Sequence, residues 1–169
     1  MTRDPDLEIV QIVDENDNEI GAVARHIMRR QRLIHRASYI LVFNKNQELF
    51  VQKRTMSKDM YPGYLDVAAG GVVLAGESYE HSARRELEEE LGIKAKIRFL
   101  FDHYFEDADN RVWGRIFSCI HEGPFTLQPE EVADGWFMTI DQALDLSTRE
   151  PFTPDGLEIL GRLAKGQKA

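Results

Sequence analysis

Glu86, Glu89 and Glu90 stand three and four residues apart in a run from Ser78 to Leu91 that holds neither Gly nor Pro. A helix of 3.6 residues per turn over that run gathers their carboxylates on one face. Like charges at this spacing repel, the more so where solvent is partly excluded. Something cationic must relieve them. Arg85 precedes Glu89 by four residues and can steady one carboxylate, but one guanidinium cannot neutralise three acids and still leave them open to a substrate. A hard divalent cation held by oxygen ligands, Mg²⁺ or Mn²⁺, fits better. Such a cation also lets a protein of formal net charge -8 bind phosphate oxygens, by standing between them and its own carboxylates. The plain alternative is a solvated acidic helix. Gly70 and Gly71 weigh against it, because residues without side chains let backbone carbonyls and amides approach an ion or a phosphate.

The elements that must position these residues can be read from periodicity and turn chemistry. Ser78 is a suitable N-cap and Gly92 a C-terminal stop for the glutamate helix, whose stripe Ala83, Leu87, Leu91 would seat it on a sheet while Glu88 faces solvent. Upstream, LEIVQIVD and EIGAVARH flank Glu15 to Asn18 as an N-terminal hairpin, and a short basic helix follows through Ile27 to Arg30. ASYILVF and ELFVQKR predict a second hairpin around Asn44 to Gln47, and Leu65 to Ala69 a strand between irregular segments. KIRFLFDHYFED and RVWGRIFSCIHE predict long strands, and GWFMT a shorter one. Helices are expected over Ile140 to Leu146 and in PDGLEILGRLAKG. Many strands with well-separated helices imply an α/β fold, a mixed sheet with helices packed on its faces.

Composition bounds the function classes. The 169 residues, 43% hydrophobic and 30% charged, hold no repeat or low-complexity linker, so a single domain over 1–169 is expected. Cys119 is the only cysteine, which excludes an internal disulfide and a cysteine-built zinc site. The polar start MTRDPDLE lacks the apolar core of a signal peptide, and no stretch resembles a membrane span; a cytoplasmic protein is expected. The acidic balance argues against a nucleic-acid partner.

The spacing from Gly71 through Glu77, Arg85-Glu86-Leu87 and Glu89-Glu90 to Gly92-Ile93 resembles the Nudix box, over residues 71 to 93, without a departure. The order of elements around it resembles the Nudix α/β/α sandwich, here with an N-terminal β-hairpin extension that could support a homodimer contact. The resemblance implies metal-dependent hydrolysis of a diphosphate linkage in a small molecule. It implies Glu86 and Glu90 as the principal Mg²⁺ or Mn²⁺ ligands, Glu89 as a third ligand or the base, and a carbonyl of Gly70 or Gly71 as a further ligand. Arg85 would orient the glutamates, and Glu77 would support the junction of loop and helix or accept a metal-bound water. A second acid often comes from a loop outside the box, and Glu131 beside Glu130 is the candidate.

Further segments, among them His35-Arg36-Ala37, Arg111-Val112-Trp113-Gly114 and Phe152-Thr153-Pro154-Asp155, resemble the YfcD-type bacterial branch of the family. They also resemble type 1 isopentenyl-diphosphate isomerase, the rival reading. Gly70 stands where that enzyme has its cysteine, Val72 where it has a metal-binding histidine, and Arg111 where it has its catalytic acid; His35 alone matches one of its metal histidines. A catalytically silent ligand- or RNA-binding module is the alternative from another class. Arg54, Arg111 and Trp113 are candidate contacts for the non-reacting part of the substrate, through charge and stacking.

Overall fold

The computed structural model of the chain describes residues 4–166. Nine strands form one hydrogen-bonded network: β1 (Ile9–Val13), β2 (Glu19–Ala24), β3 (His35–Phe43), β4 (Leu49–Arg54), β5 (Leu65–Asp66), β6 (Ala69–Val72), β7 (Arg98–Glu106), β8 (Arg111–Ile120) and β9 (Val132–Met138). Four helices accompany them: α1 (Arg25–Gln31), α2 (Tyr79–Leu91), α3 (Ile140–Leu146) and α4 (Pro154–Ala164). The sheet is mixed, since β3 runs parallel to β8 from His35 opposite Val112 to Phe43 opposite Ile120, while its other pairings are antiparallel.

β3 is covered on both faces, which is why it reads as a nearly continuous apolar run. Ile40 and Val42 pack with Ala83, Leu87 and Leu91 of α2, and the alternate residues Leu41 and Phe43 pack with Ile159, Leu160 and Leu163 of α4. That is the α/β/α layering expected. Among the described residues no helix is long and apolar enough to cross a membrane.

The first hairpin closes through Asp14, whose carboxylate accepts the amides of Asn16 and Asn18 at 2.8 and 2.9 Å, with Asp17 left-handed at φ 63°. β2 lies at the sheet edge, beside β1. The second hairpin is looser than its sequence suggests. β3 and β4 register only at Phe43 and Leu49, then diverge, β3 to β6 and β8, β4 to β5 and β9.

Two expectations are corrected. Leu65 to Ala69 is not one strand: β5 pairs with β4, β6 pairs with β3, and Val67 and Ala68 carry the chain across. The diverging strands β3 and β4 leave no single neighbour along which a continuous strand could pair. The GWFMT strand begins earlier, at Val132, because β4 offers partners as far as Arg54.

Candidate active site

α2 begins where expected, with the Ser78 hydroxyl accepting the His81 amide at 3.0 Å, and ends at Gly92, left-handed at φ 66°. Its apolar stripe is fully covered, Ala83 at 0%, Leu87 at 1% and Leu91 at 0% exposure, so the opposite choice of face is closed to it. The helix thereby brings Glu86 and Glu90 against β6. Gly70 adopts φ 138°, and a Cβ there would stand 2.0 Å from the Ser38 carbonyl oxygen, while a Cβ on Gly71 would stand 2.8 Å from Glu86 Oε1. Both glycines are needed for this close approach of strand and helix.

Arg85 is the hub of the acidic face. Its Nε and Nη2 donate to the two oxygens of Glu77 at 2.7 and 2.9 Å, and its Nη1 donates to Glu86 Oε1 at 2.8 Å and to Glu89 Oε2 at 3.3 Å. Glu77 also accepts the Leu74 amide at 2.9 Å, tying the loop before α2 to the helix. Burial works to raise the Glu77 carboxyl, but the Arg85 hydrogen bonds outweigh it and hold the group below its ordinary value.

The other two carboxylates are under-compensated. Burial pushes Glu86 up to about 7, against the pull of Arg85 and with repulsion from Glu89 and Glu131. Glu90 is 4% exposed, its Oε1 accepts the Gly70 amide at 3.0 Å, and burial followed by repulsion from Glu86 raises it well above the carboxylate range. Glu89 is half exposed and free to reach solvent. Among the described residues no three His, Cys, Asp or Glu side chains already converge into a cage. The set nonetheless suits a hard cation: every donor is oxygen, Glu90 is buried and Glu86 largely covered without sufficient positive charge, and glycine backbone lies beside them.

This face opens on a cleft of about 1010 Å³, lined among others by Gly70, Gly71, Glu86, Glu89 and Glu131. Glu131 reaches it from the segment before β9 and forms an ion pair with Lys58. Arg54 also lines it, donating through Nε and Nη2 to the Met60 carbonyl at 3.1 and 2.8 Å, with Nη1 3.6 Å from Asp66 Oδ2. His35 is 2% exposed at the cleft wall, its Nδ1 3.2 Å from the Leu33 carbonyl, and burial pushes its imidazole down to about 3.

Arg111 and Trp113 are not brought to the cleft. Val112, between them on β8, lines it, so strand alternation turns its two neighbours away. Arg111 donates to Glu106 at 2.9 Å, and the Trp113 indole donates to the Glu15 carbonyl at 3.1 Å and packs on Tyr104 with ring centres 5.3 Å apart. Their work is to hold the β7–β8 hairpin and the tip of the first hairpin. Cys119 lies in the core under α2, 3% exposed, its thiol pushed up to about 11 by burial, and offers no proton shuttle to the cleft.

Sequence reasoning missed several residues that line the cleft: Lys58, Tyr39, Asp66, Asp155, Arg25 and Arg29. Asp155 accepts the Tyr39 hydroxyl at 2.7 Å, and burial followed by repulsion from Asp155 raises Asp66 to about 6. The four-residue spacing of Arg25 and Arg29 on a short basic helix was a usable signal. Nothing in the sequence alone singled out Tyr39 or Asp66.

A family model described as the NUDIX domain matches residues 33–160. An uncharacterized Nudix hydrolase of Yersinia pestis is 50% identical over 158 residues, covering 91% of this chain and 84% of that protein. The uncharacterized Nudix hydrolase YfcD of Escherichia coli is 47% identical over 157 residues, covering 90% and 84%. Among solved structures, DR0079 from Deinococcus radiodurans superposes with a TM-score of 0.80 at 26% identity, over 92% of this chain and 98% of that one.

Proposed function

We propose, from the premise that this chain belongs to the Nudix hydrolase family and to its YfcD-type branch, that it hydrolyses a diphosphate linkage in a nucleoside diphosphate derivative or related small molecule with Mg²⁺ or Mn²⁺. The observation that supports this reading is the pair of under-compensated carboxylates on one face of α2, Glu90 buried against the Gly70 amide and Glu86 lining a roomy cleft beside Gly70 and Gly71. Glu86 and Glu90, with a carbonyl of Gly70 or Gly71 and with Glu89 in reserve, are the residues that would hold the cation. The bound ion supplies Lewis acidity, screening the diphosphate oxygens and making water a stronger nucleophile near neutral pH.

The chain's own residues do the rest. Arg85, pinned by Glu77, fixes the rotamers of Glu86 and Glu89, so the acidic face is organised before substrate arrives. Glu89, half exposed, accepts the proton of the attacking water as its oxygen bonds to phosphorus and the bridging P–O bond breaks, the electron pair leaving with the departing phosphate. Glu131, held by Lys58, is the second candidate base. Arg54 borders the non-reacting part of the substrate. A cytoplasmic location and a small-molecule partner, with no nucleic acid or membrane, complete the reading.

The test is release of phosphate or pyrophosphate from a panel of diphosphate compounds, with Mg²⁺ or Mn²⁺ and with chelator. Release that disappears with the chelator is the expected result. Tight binding of one compound without turnover on any metal would contradict hydrolysis and favour a sensing module.

A further inference from the structure

The cleft is lined by two arginines that the proposed reaction leaves unused. Arg25 and Arg29 lie one turn apart on α1, and both line the cavity that Gly70, Glu86 and Glu89 also line. Their side chains are 14% and 20% exposed. The Nε of each is buried and has no hydrogen-bond acceptor among the described residues. The contacts they do make are long. One carboxylate, Asp59 Oδ2, stands 3.5 Å from Arg25 Nη2 and 3.9 Å from Arg29 Nε, and Arg29 Nη1 donates to the Asn110 side chain at 3.2 Å. Asp4, Asp6 and Glu8 also border the cleft, but among the described residues none forms an ion pair with either arginine.

The two guanidiniums share one carboxylate at 3.5 and 3.9 Å, so neither is matched by a close ion pair among the described residues. Loss of water, then repulsion from Arg25, holds Arg29 below the ordinary arginine value, as expected of a cation short of a counter-charge. A guanidinium presents a planar fork of donors that matches the oxygens of a phosphate, and two forks on the wall of one cleft match it better than one. The pair is also firmly held. Met28, between the two arginines, is 1% exposed and packs with Val10, Ile12 and Val72. α1 precedes residues 33–160, so the pair comes from the extension in front of the matched domain and not from the segment that carries the glutamates.

We propose that Arg25 and Arg29 form a subsite for a further phosphate group of the substrate, beyond the diphosphate that faces the glutamates. The substrate class is then a diphosphate compound that also carries a phosphate monoester, an inference that rests on the hydrolase reading above. A cleft of about 1010 Å³ has room for both groups.

The experiment uses inorganic phosphate and chelator-treated full-length protein, so that it reads the arginine pair without the cation. Phosphate should shift the Arg25 and Arg29 Nε–H resonances in nitrogen-15 NMR. The double variant Arg25→Gln, Arg29→Gln should weaken phosphate binding by about tenfold or more, whereas Glu90→Gln should leave it in place. Arg29→Lys, which keeps the charge and loses the fork, should fall between wild type and Arg29→Gln, and serves if the double variant fails to fold. With metal restored, Arg29→Gln should narrow the KM gap between a nucleoside diphosphate derivative bearing a sugar phosphate and its counterpart lacking it. Resonances that do not move, or phosphate binding that survives the double variant, would overturn the subsite whatever the turnover assays give. Failure of all turnover with phosphate binding intact would overturn the hydrolase reading instead.

Discussion

With 4% exposure and Glu86 one turn away, Glu90 carries a carboxyl that the fold prefers protonated, and this has a consequence for pH. A group whose folded pKa is raised contributes stability below its unfolded pKa, near 4.5, and loses that contribution as pH climbs through the folded value, about 7 for Glu86, with Glu90 shifted in the same direction. Metal-free protein should therefore lose stability from weakly acid to weakly alkaline solution, and added Mg²⁺ should raise Tm more at pH 8 than at pH 6. Glu90→Gln, which keeps an acceptor for the Gly70 amide but drops the charge, should be more stable than wild type in chelator at pH 8, by about 1 kcal/mol or more. Thermal melts across that range check it; a variant less stable than wild type at pH 8 would show that the charge is already compensated. At this scale the acidic face was legible, because Glu86, Glu89, Glu90 and Arg85 lie on one helix whose geometry follows from spacing. Arg111 and Trp113 lie away from this cleft, since the side of β8 that meets it depends on its pairing with β3 and not on residue type. Arg25 and Arg29 went unassigned because α1 reaches the cleft only through tertiary packing.

β6 and α2 form the unit on which the site depends, and the tight point between them is Gly70. At φ 138°, with the Ser38 carbonyl 2.0 Å from any added Cβ, Gly70→Ala forces β6 away from β3 and displaces the amide that Glu90 accepts. The cost should be roughly 2 kcal/mol or more, as for a strained backbone conformation combined with a steric clash. Urea denaturation measures it; a change under about 0.5 kcal/mol, within the range of neutral surface substitutions, would mean the strand tolerates a side chain. The boundaries of α2 were readable because Ser78 and Gly92 mark them locally. The strands were less so. Leu65 to Ala69 looked like one strand because its residues suit one, yet β4 and β3 claim its two ends separately.

Across the whole molecule, the cleft is lined by charged groups from different parts of the chain, Glu86 and Glu89 from α2 and Arg25 and Arg29 from α1, with Arg54 and Lys58 also on its walls. The layered fold followed from alternation and helix periodicity, but the cavity did not, because it exists only where β3, β6, β8, α1 and the segment before β9 come together. The central claim is that the buried acidic face of α2, and not acidity in general, carries out metal-dependent hydrolysis. Its most direct test compares the turnover of Glu90→Gln with that of Glu88→Gln on a substrate drawn from the diphosphate panel, at saturating Mg²⁺. Glu88 lies on the same helix with its side chain 58% exposed, so both changes replace one glutamate of α2 by its amide and only one of them falls on the buried acid that meets Gly70. The account predicts that Glu90→Gln loses at least about a hundredfold in kcat, as expected when a cation ligand is removed, while Glu88→Gln keeps wild-type turnover. Equal turnover in the two variants, with both folded, would contradict it.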